Sequence, residues 1–75
     1  MSLKELRLEK EISQKEIFIK LKLKQNTYSQ YETGKRTPSI EQLPKLAEVL
    51  NCSIEELVYA IIETKNKQSF NHYGV

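Results

Sequence analysis

Four times in this 75-residue chain a serine followed three positions later by glutamate or glutamine opens a stretch of apolar residues at helical spacing. The pairs are Ser2 with Glu5, Ser13 with Glu16, Ser39 with Gln42 and Ser53 with Glu56. In such a capping box the serine oxygen accepts from the third helical N–H, and the acidic or amide side chain reaches back to the serine N–H. One match means little. Four, each leading into an apolar stripe, predict four helices.

The first of these helices is expected from Leu3 to Lys10, with Leu3 and Leu6 turned inward. The second is expected from Gln14 to Leu21, with Ile17 and Leu21 sharing a face at i, i+4. After a short break, Lys22-Leu23-Lys24, a further helix without a capping serine is expected from Gln25 to Thr33, carrying Tyr28 and Tyr31 at i, i+3. Gly34 stands where a helix C-terminus favours a residue free to take positive φ, and Pro38 disfavours helix at Thr37. The helix after Ser39 offers Leu43, Leu46, Ala47 and Leu50 as its inner stripe. Pro44 lies too far in for a free first-turn position. Either that first turn is irregular or the regular helix begins near Leu43, and the spacing leans to the second. The last helix is expected from Ile54 to Glu63, and the polar, aperiodic Lys65-Asn66-Lys67-Gln68-Ser69 reads as a frayed tail. The chain is thus expected to be all-α, with one domain over residues 1–64 and a flexible C-terminal tail over residues 65–75.

A chain this short buries only about 60% of the surface its unfolded form exposes, which leaves little room for an enclosed substrate pocket. His72 is the single histidine and has no companion at metal-ligand or triad spacing. The two glycines form no phosphate loop, and half of the carboxylates, Glu5, Glu16, Glu41, Glu55 and Glu56, fall in expected first turns, where the helix dipole accounts for them. No enzyme activity, metal or cofactor is expected. Cys52 is the single cysteine, which excludes an intrachain disulfide and a multi-cysteine zinc site; it reads as a small buried hydrophobe. No apolar run approaches the roughly 18 residues of a membrane span. Met1-Ser2-Leu3-Lys4-Glu5 lacks the apolar core of a secretory signal, so a cytoplasmic, nucleoid-associated protein is expected. Residues 1–36 hold nine basic residues against five acidic ones, +4, whereas residues 37–75 hold three against five, −2. Such an asymmetry suits a chain that turns one face to a polyanion, although a solvated charged surface produces it as well.

Two helices separated by about three residues, the second short and polar on its outer face, form a helix-turn-helix. An α-helix fits the major groove of B-DNA, where each base pair shows its own pattern of donors and acceptors. The helix from Gln25 to Thr33 would carry Gln25, Asn26, Thr27, Ser29 and Gln30 outward and Tyr28 and Tyr31 inward. Asparagine and glutamine amides can pair with adenine N6 and N7, while serine and threonine suit several base edges or phosphates.

At this point the chain closely resembles the lambda-repressor/Cro-like (XRE-type) helix-turn-helix family, from Leu3 to about Val58. The resemblance is carried by Leu6-Arg7, by Ile12-Ser13-Gln14-Lys15-Glu16-Ile17, and by the run from Tyr28 through Glu32-Thr33-Gly34-Lys35-Arg36-Thr37-Pro38. Leu46-Ala47-Glu48-Val49-Leu50-Asn51-Cys52-Ser53-Ile54-Glu55-Glu56-Leu57 completes it. It implies a compact five-helix domain with residues 14–21 as scaffold helix and 25–33 as recognition helix. It further implies double-stranded DNA as partner, with Gln25, Asn26 and Gln30 at base edges and Thr27 and Ser29 near bases or phosphates. Ser13, Gln14, Lys24, Lys35 and Arg36 would meet phosphates, Gln14 at a helix N-terminus that itself favours an anion. Arg7 and Glu32 match positions that form a partly buried ion pair in some members.

Three residues depart from the family pattern. Phe18 stands where a small alanine lets the two helices of the motif approach closely. Lys22 occupies the frequent turn glycine, so it must either adopt positive φ at some cost or alter the turn. Lys24 replaces the usual serine or threonine cap, which removes a capping bond but adds a cation near phosphates. Family and symmetry both suggest a homodimer on a pseudopalindrome, hence a transcriptional regulator, a repressor above all. The seam is expected on the last helix, because Val58, Tyr59, Ile61 and Ile62 together exceed one inward stripe; otherwise that helix closes the monomer core. The competing function is an antitoxin or protein-interaction module of the same fold with a protein partner.

Overall fold

The structure, a computed structural model, describes the backbone of residues 1–73 and the side chains of residues 1–67. Five helices follow one another: α1 (Leu3–Glu9), α2 (Gln14–Lys20), α3 (Gln25–Thr33), α4 (Gln42–Val49) and α5 (Ile54–Tyr73). No strand occurs among the described residues. The fold is all-α, as its capping pattern predicts. Lys10 and Leu21, expected as last helical residues, are the C-caps of α1 and α2, still in right-handed geometry.

Three of the four capping boxes close completely. Ser2 Oγ accepts from the Glu5 N–H at 3.3 Å, and the Ser2 N–H donates to Glu5 Oε1 at 2.8 Å. The corresponding pairs are 3.1 and 3.4 Å at Ser13 and Glu16, and 3.0 and 3.1 Å at Ser53 and Glu56. The box at Ser39 is half-formed. Ser39 Oγ accepts from the Gln42 N–H at 3.2 Å, while Gln42 Oε1 is buried without a hydrogen-bond partner. The chain enters α4 through a turn in which the Ser39 carbonyl takes both the Gln42 and Leu43 N–H groups, at 3.0 and 3.2 Å. Helix α4 therefore begins at Gln42 after an irregular turn, which combines the two ways of accommodating Pro44. As third residue of α4, Pro44 lacks an N–H that would have had no intrahelical acceptor.

Helices α1, α2 and α4 end by one device. Glu11, Lys22 and Asn51 take φ of 58°, 57° and 54°, and around each the chain closes a Schellman motif. Glu11 and Ile12 donate to the Leu8 and Arg7 carbonyls at 3.0 and 3.3 Å, and Lys22 and Leu23 to those of Ile19 and Phe18 at 3.1 and 2.8 Å. Asn51 and Cys52 repeat it on Glu48 and Ala47. In each case the residue after the left-handed one (Ile12, Leu23 or Cys52) is an apolar side chain packed against the core. Lys22 thus keeps the turn of the motif and takes the left-handed conformation in place of glycine.

The core gathers Leu3 and Leu6 of α1, Ile17 of α2, Tyr28 and Tyr31 of α3, Leu46 and Ala47 of α4 with Leu50, and Leu57, Ala60 and Ile61 of α5. Tyr28 and Tyr31 meet edge to face, centroids 6.0 Å apart. Phe18 does not enter this core. It is half-buried and packs on its rim, which leaves α2 and α3 free to approach.

The last helix is longer than expected. The end at Glu63 and the separate segment from Lys65 are corrected: α5 runs on to Tyr73, so the boundary expected at 64/65 falls inside a helix. Neither proline nor glycine interrupts residues 54–73, and the extra turns are tied to the domain. Thr64 Oγ1 accepts from the Leu3 N–H at 2.9 Å and donates to the Ala60 carbonyl at 2.8 Å. Lys65 Nζ donates to the Gly34 carbonyl at 3.2 Å, and Lys67 pairs with Glu5 and Glu63 at 3.1 and 3.5 Å. The side chain of His72 lies outside the described residues, as does residue 75 at the end of the expected tail. No helix among the described residues is long and apolar enough to cross a membrane.

Candidate nucleic-acid interface

Helix α3 is held by its two tyrosines, Tyr28 fully buried and Tyr31 nearly so. With Glu32 also turned inward, anchoring those positions leaves the side of the helix that carries Gln25, Asn26, Thr27, Ser29 and Gln30 facing outward. Gln25 and Asn26 are exposed, and Thr27, Ser29 and Gln30 are half-buried along the same side. Lys24 is exposed at the N-cap, where it makes no side-chain capping bond, so the opening N–H groups of α3 carry no capping side chain. Gly34, at φ 84°, ends the helix and turns the chain into the exposed Lys35 and Arg36, while Pro38 is buried. The Arg36 N–H returns to the Gln30 carbonyl at 3.1 Å, tying the basic loop to the polar helix.

The N-terminus of α2 lies against α3. Ser13 is exposed, but its oxygen and N–H are both committed to the capping box with Glu16. Of its neighbours, Gln14 is the one whose side chain crosses to α3. Gln14 Nε2 donates to Glu32 Oε1 at 2.9 Å, and Gln14 Oε1 accepts from Ser29 Oγ at 3.4 Å.

Glu32 is the hub. Arg7 of α1 reaches it with Nε to Oε2 at 2.5 Å and with Nη2 to Oε1 at 3.3 Å, and donates from Nη1 to the Ile12 carbonyl at 2.9 Å. Tyr28 Oη donates to Oε2 at 2.6 Å. The two side chains of the ion pair are only 8% and 4% exposed. Burial pushes the Glu32 carboxyl up, but hydrogen bonds from Arg7, Tyr28 and Gln14 outweigh it and hold the carboxyl below its usual range. The Glu32 hydrogen bond raises the Arg7 guanidinium further. Burial and the bond to Glu32 push the Tyr28 phenol up, so that it remains a donor. Sequence reasoning finds the Arg7 and Glu32 pair but assigns Tyr28 to the core alone. The missed signal is spacing: Tyr28 precedes Glu32 by four residues on one helix.

The four positions expected to form a dimer seam divide. Tyr59 and Ile62 are 64% and 47% exposed, and Val58 is half-buried. Ile61 is 9% exposed and belongs to the core, so it is removed from that face. Tyr59 and Ile62 line an open groove of about 490 Å³ between α1 and α5, together with Met1, Glu9, Glu56 and Glu63.

A family model described as helix-turn-helix matches residues 3–57. The cryptic phage CTXphi transcriptional repressor RstR of Vibrio cholerae is 36% identical over 56 residues, which cover 75% of this chain. The chain spans about half the length of that relative, the matched residues covering 50% of it. No solved structure matches significantly. The matched region holds α1 to α4, the first turn of α5 and every residue around Glu32, and on that match the chain belongs to the XRE-type helix-turn-helix family.

Proposed function

We propose that this protein is a sequence-specific duplex-DNA-binding transcriptional regulator, a repressor, acting in the cytoplasm at the nucleoid. The observation that carries this function is the polar face of α3 (Gln25, Asn26, Thr27, Ser29 and Gln30), set between two sources of positive potential. Lys24 stands at the N-terminal end of α3, Lys35 and Arg36 follow its C-terminal end, and the N-terminus of α2 at Gln14 lies beside Ser29. Amide and hydroxyl groups on an exposed helix supply choice among base pairs, and flanking cations and helix N-termini supply salt-dependent affinity. The relative from Vibrio cholerae, a transcriptional repressor by name, supports the same function.

A single recognition helix makes few base contacts. The chain would act as a homodimer on a pseudopalindromic operator whose half-sites lie about 34 Å apart. Its seam is formed by the exposed Tyr59 and Ile62 with Val58 at the edge.

Titration of a selected duplex across a range of salt concentrations tests the electrostatic half of this function. Log affinity should fall linearly with log salt, and Lys35→Ala and Arg36→Ala should each lower the slope by about one. Weak binding that no duplex sequence alters would favour the protein-interaction module instead.

A further inference from the structure

The hydrogen bonds on Glu32 set the direction of the protons along a chain of side chains ending at Ser29. A carboxylate has no proton to give and about four lone-pair positions. Glu32 fills them with Arg7 Nε and Tyr28 Oη on Oε2, and with Arg7 Nη2 and Gln14 Nε2 on Oε1. The Gln14 amide must therefore meet Glu32 with its nitrogen, since the flipped amide would set oxygen against oxygen. Gln14 Oε1 is then the atom that faces Ser29 Oγ, at 3.4 Å. An amide oxygen only accepts, so the Ser29 hydroxyl gives its single proton to Gln14 and keeps only lone pairs for anything outside. The contact is long and individually weak. Its polarity is nevertheless dictated by a buried carboxylate that Arg7 keeps ionised.

We propose that Ser29 is a specificity-determining residue that faces the duplex as an acceptor only. Three and four residues after Asn26 and Gln25, and beside Gln30, it lies on the exposed face of α3. It would select a base edge carrying an amino group, cytosine N4 or adenine N6, and disfavour guanine O6, thymine O4 and phosphate oxygens. The inference rests on the duplex-reading function proposed above and makes Glu32, which touches no base, the positioning residue for that polarity.

The test measures affinities of the wild type, Ser29→Ala and Gln14→Met for duplexes that vary one base pair at a time. For the wild type, one position should prefer an amino-bearing edge by about five-fold, and an analogue base lacking that amino group should lose the same factor. Ser29→Ala should erase this preference and leave the other positions unchanged. Gln14→Met removes the acceptor, so affinity should fall for all duplexes while preference at that position moves toward guanine or thymine. A preference profile unchanged in both variants, or a Ser29-dependent preference for an acceptor-only edge, overturns the proposal and leaves the DNA-reading function standing. Failure of the wild type to prefer any duplex overturns that function itself. NMR of the free protein reads the relay without DNA. The Gln14 side-chain amide protons should exchange slowly with water and shift in Ser29→Ala; amide protons that exchange freely in the wild type overturn the relay.

Discussion

Glu32 shows how a single buried charge in a small domain becomes tolerable. Alone, a carboxylate 4% exposed would cost several kcal/mol and protonate. Here Arg7, Tyr28 and Gln14 supply the hydrogen bonds that water would have given. Removing either partner leaves the other buried and unpaired, so Arg7→Ala and Glu32→Ala should each cost about 3–5 kcal/mol in urea unfolding. The double variant should cost much less than the sum, because the second substitution removes the orphan left by the first. Additive, sub-kcal effects would contradict this account of the pair. The carboxyl is depressed in the folded state, so its contribution is complete above the unfolded value of about 4.3 and is lost as pH falls through the lower folded value. Glu5 titrates in the same sense, held down to about 2 by the Ser2 N–H and Lys67. The urea midpoint should therefore drop as pH is lowered from about 6 to about 3, less steeply in Glu32→Gln than in the wild type. At this scale the ion pair was legible in Arg7 and Glu32 through family resemblance. Tyr28 was not, because a tyrosine on an inward face reads as core whether or not its hydroxyl finds an acceptor.

Among the elements, helix starts were far more legible than helix stops. A capping box is a local pattern of two side chains, and at Ser2, Ser13 and Ser53 it operates as written. Replacing Ser53 by alanine should lower stability by about 1 kcal/mol, with a smaller depression of the Glu56 carboxyl as a second readout, since the Ser53 N–H, the larger cause, remains. The stops were harder because Glu11, Lys22 and Asn51 do what glycine is expected to do. Each takes its conformation because the Schellman bonds and the following apolar contact hold it there. Lys22→Gly should consequently raise stability by up to about 1 kcal/mol by relieving left-handed strain. A melting temperature that falls by several degrees would show that the lysine side chain itself holds the turn. The continuation of α5 was missed for a different reason. Lys65, Asn66 and Lys67 carry no apolar period, and what fastens them to the domain, the Gly34 carbonyl and Glu5, is distant in sequence.

For the whole molecule, the basic first 36 residues hold α1 to α3 and the Lys35–Arg36 turn, and the acidic remainder holds α4 and α5. Helices α2 and α3 with the Lys35–Arg36 loop present amides, hydroxyls and cations, while α5 closes the core and leaves Tyr59 and Ile62 uncovered. Tyr59→Glu should abolish self-association in light scattering without unfolding the domain, since that side chain is 64% exposed. A dimer that survives the substitution would place the seam elsewhere. The claim on which the rest depends is that the exposed face of α3 reads duplex DNA. It is tested most directly by enriching a random duplex pool on the protein at near-physiological salt, alongside Gln30→Ala. The expected result is a two-fold symmetric motif for the wild type, with preference relaxed at particular bases in the variant. Recovery of no motif, or of the same motif in both proteins, would contradict it.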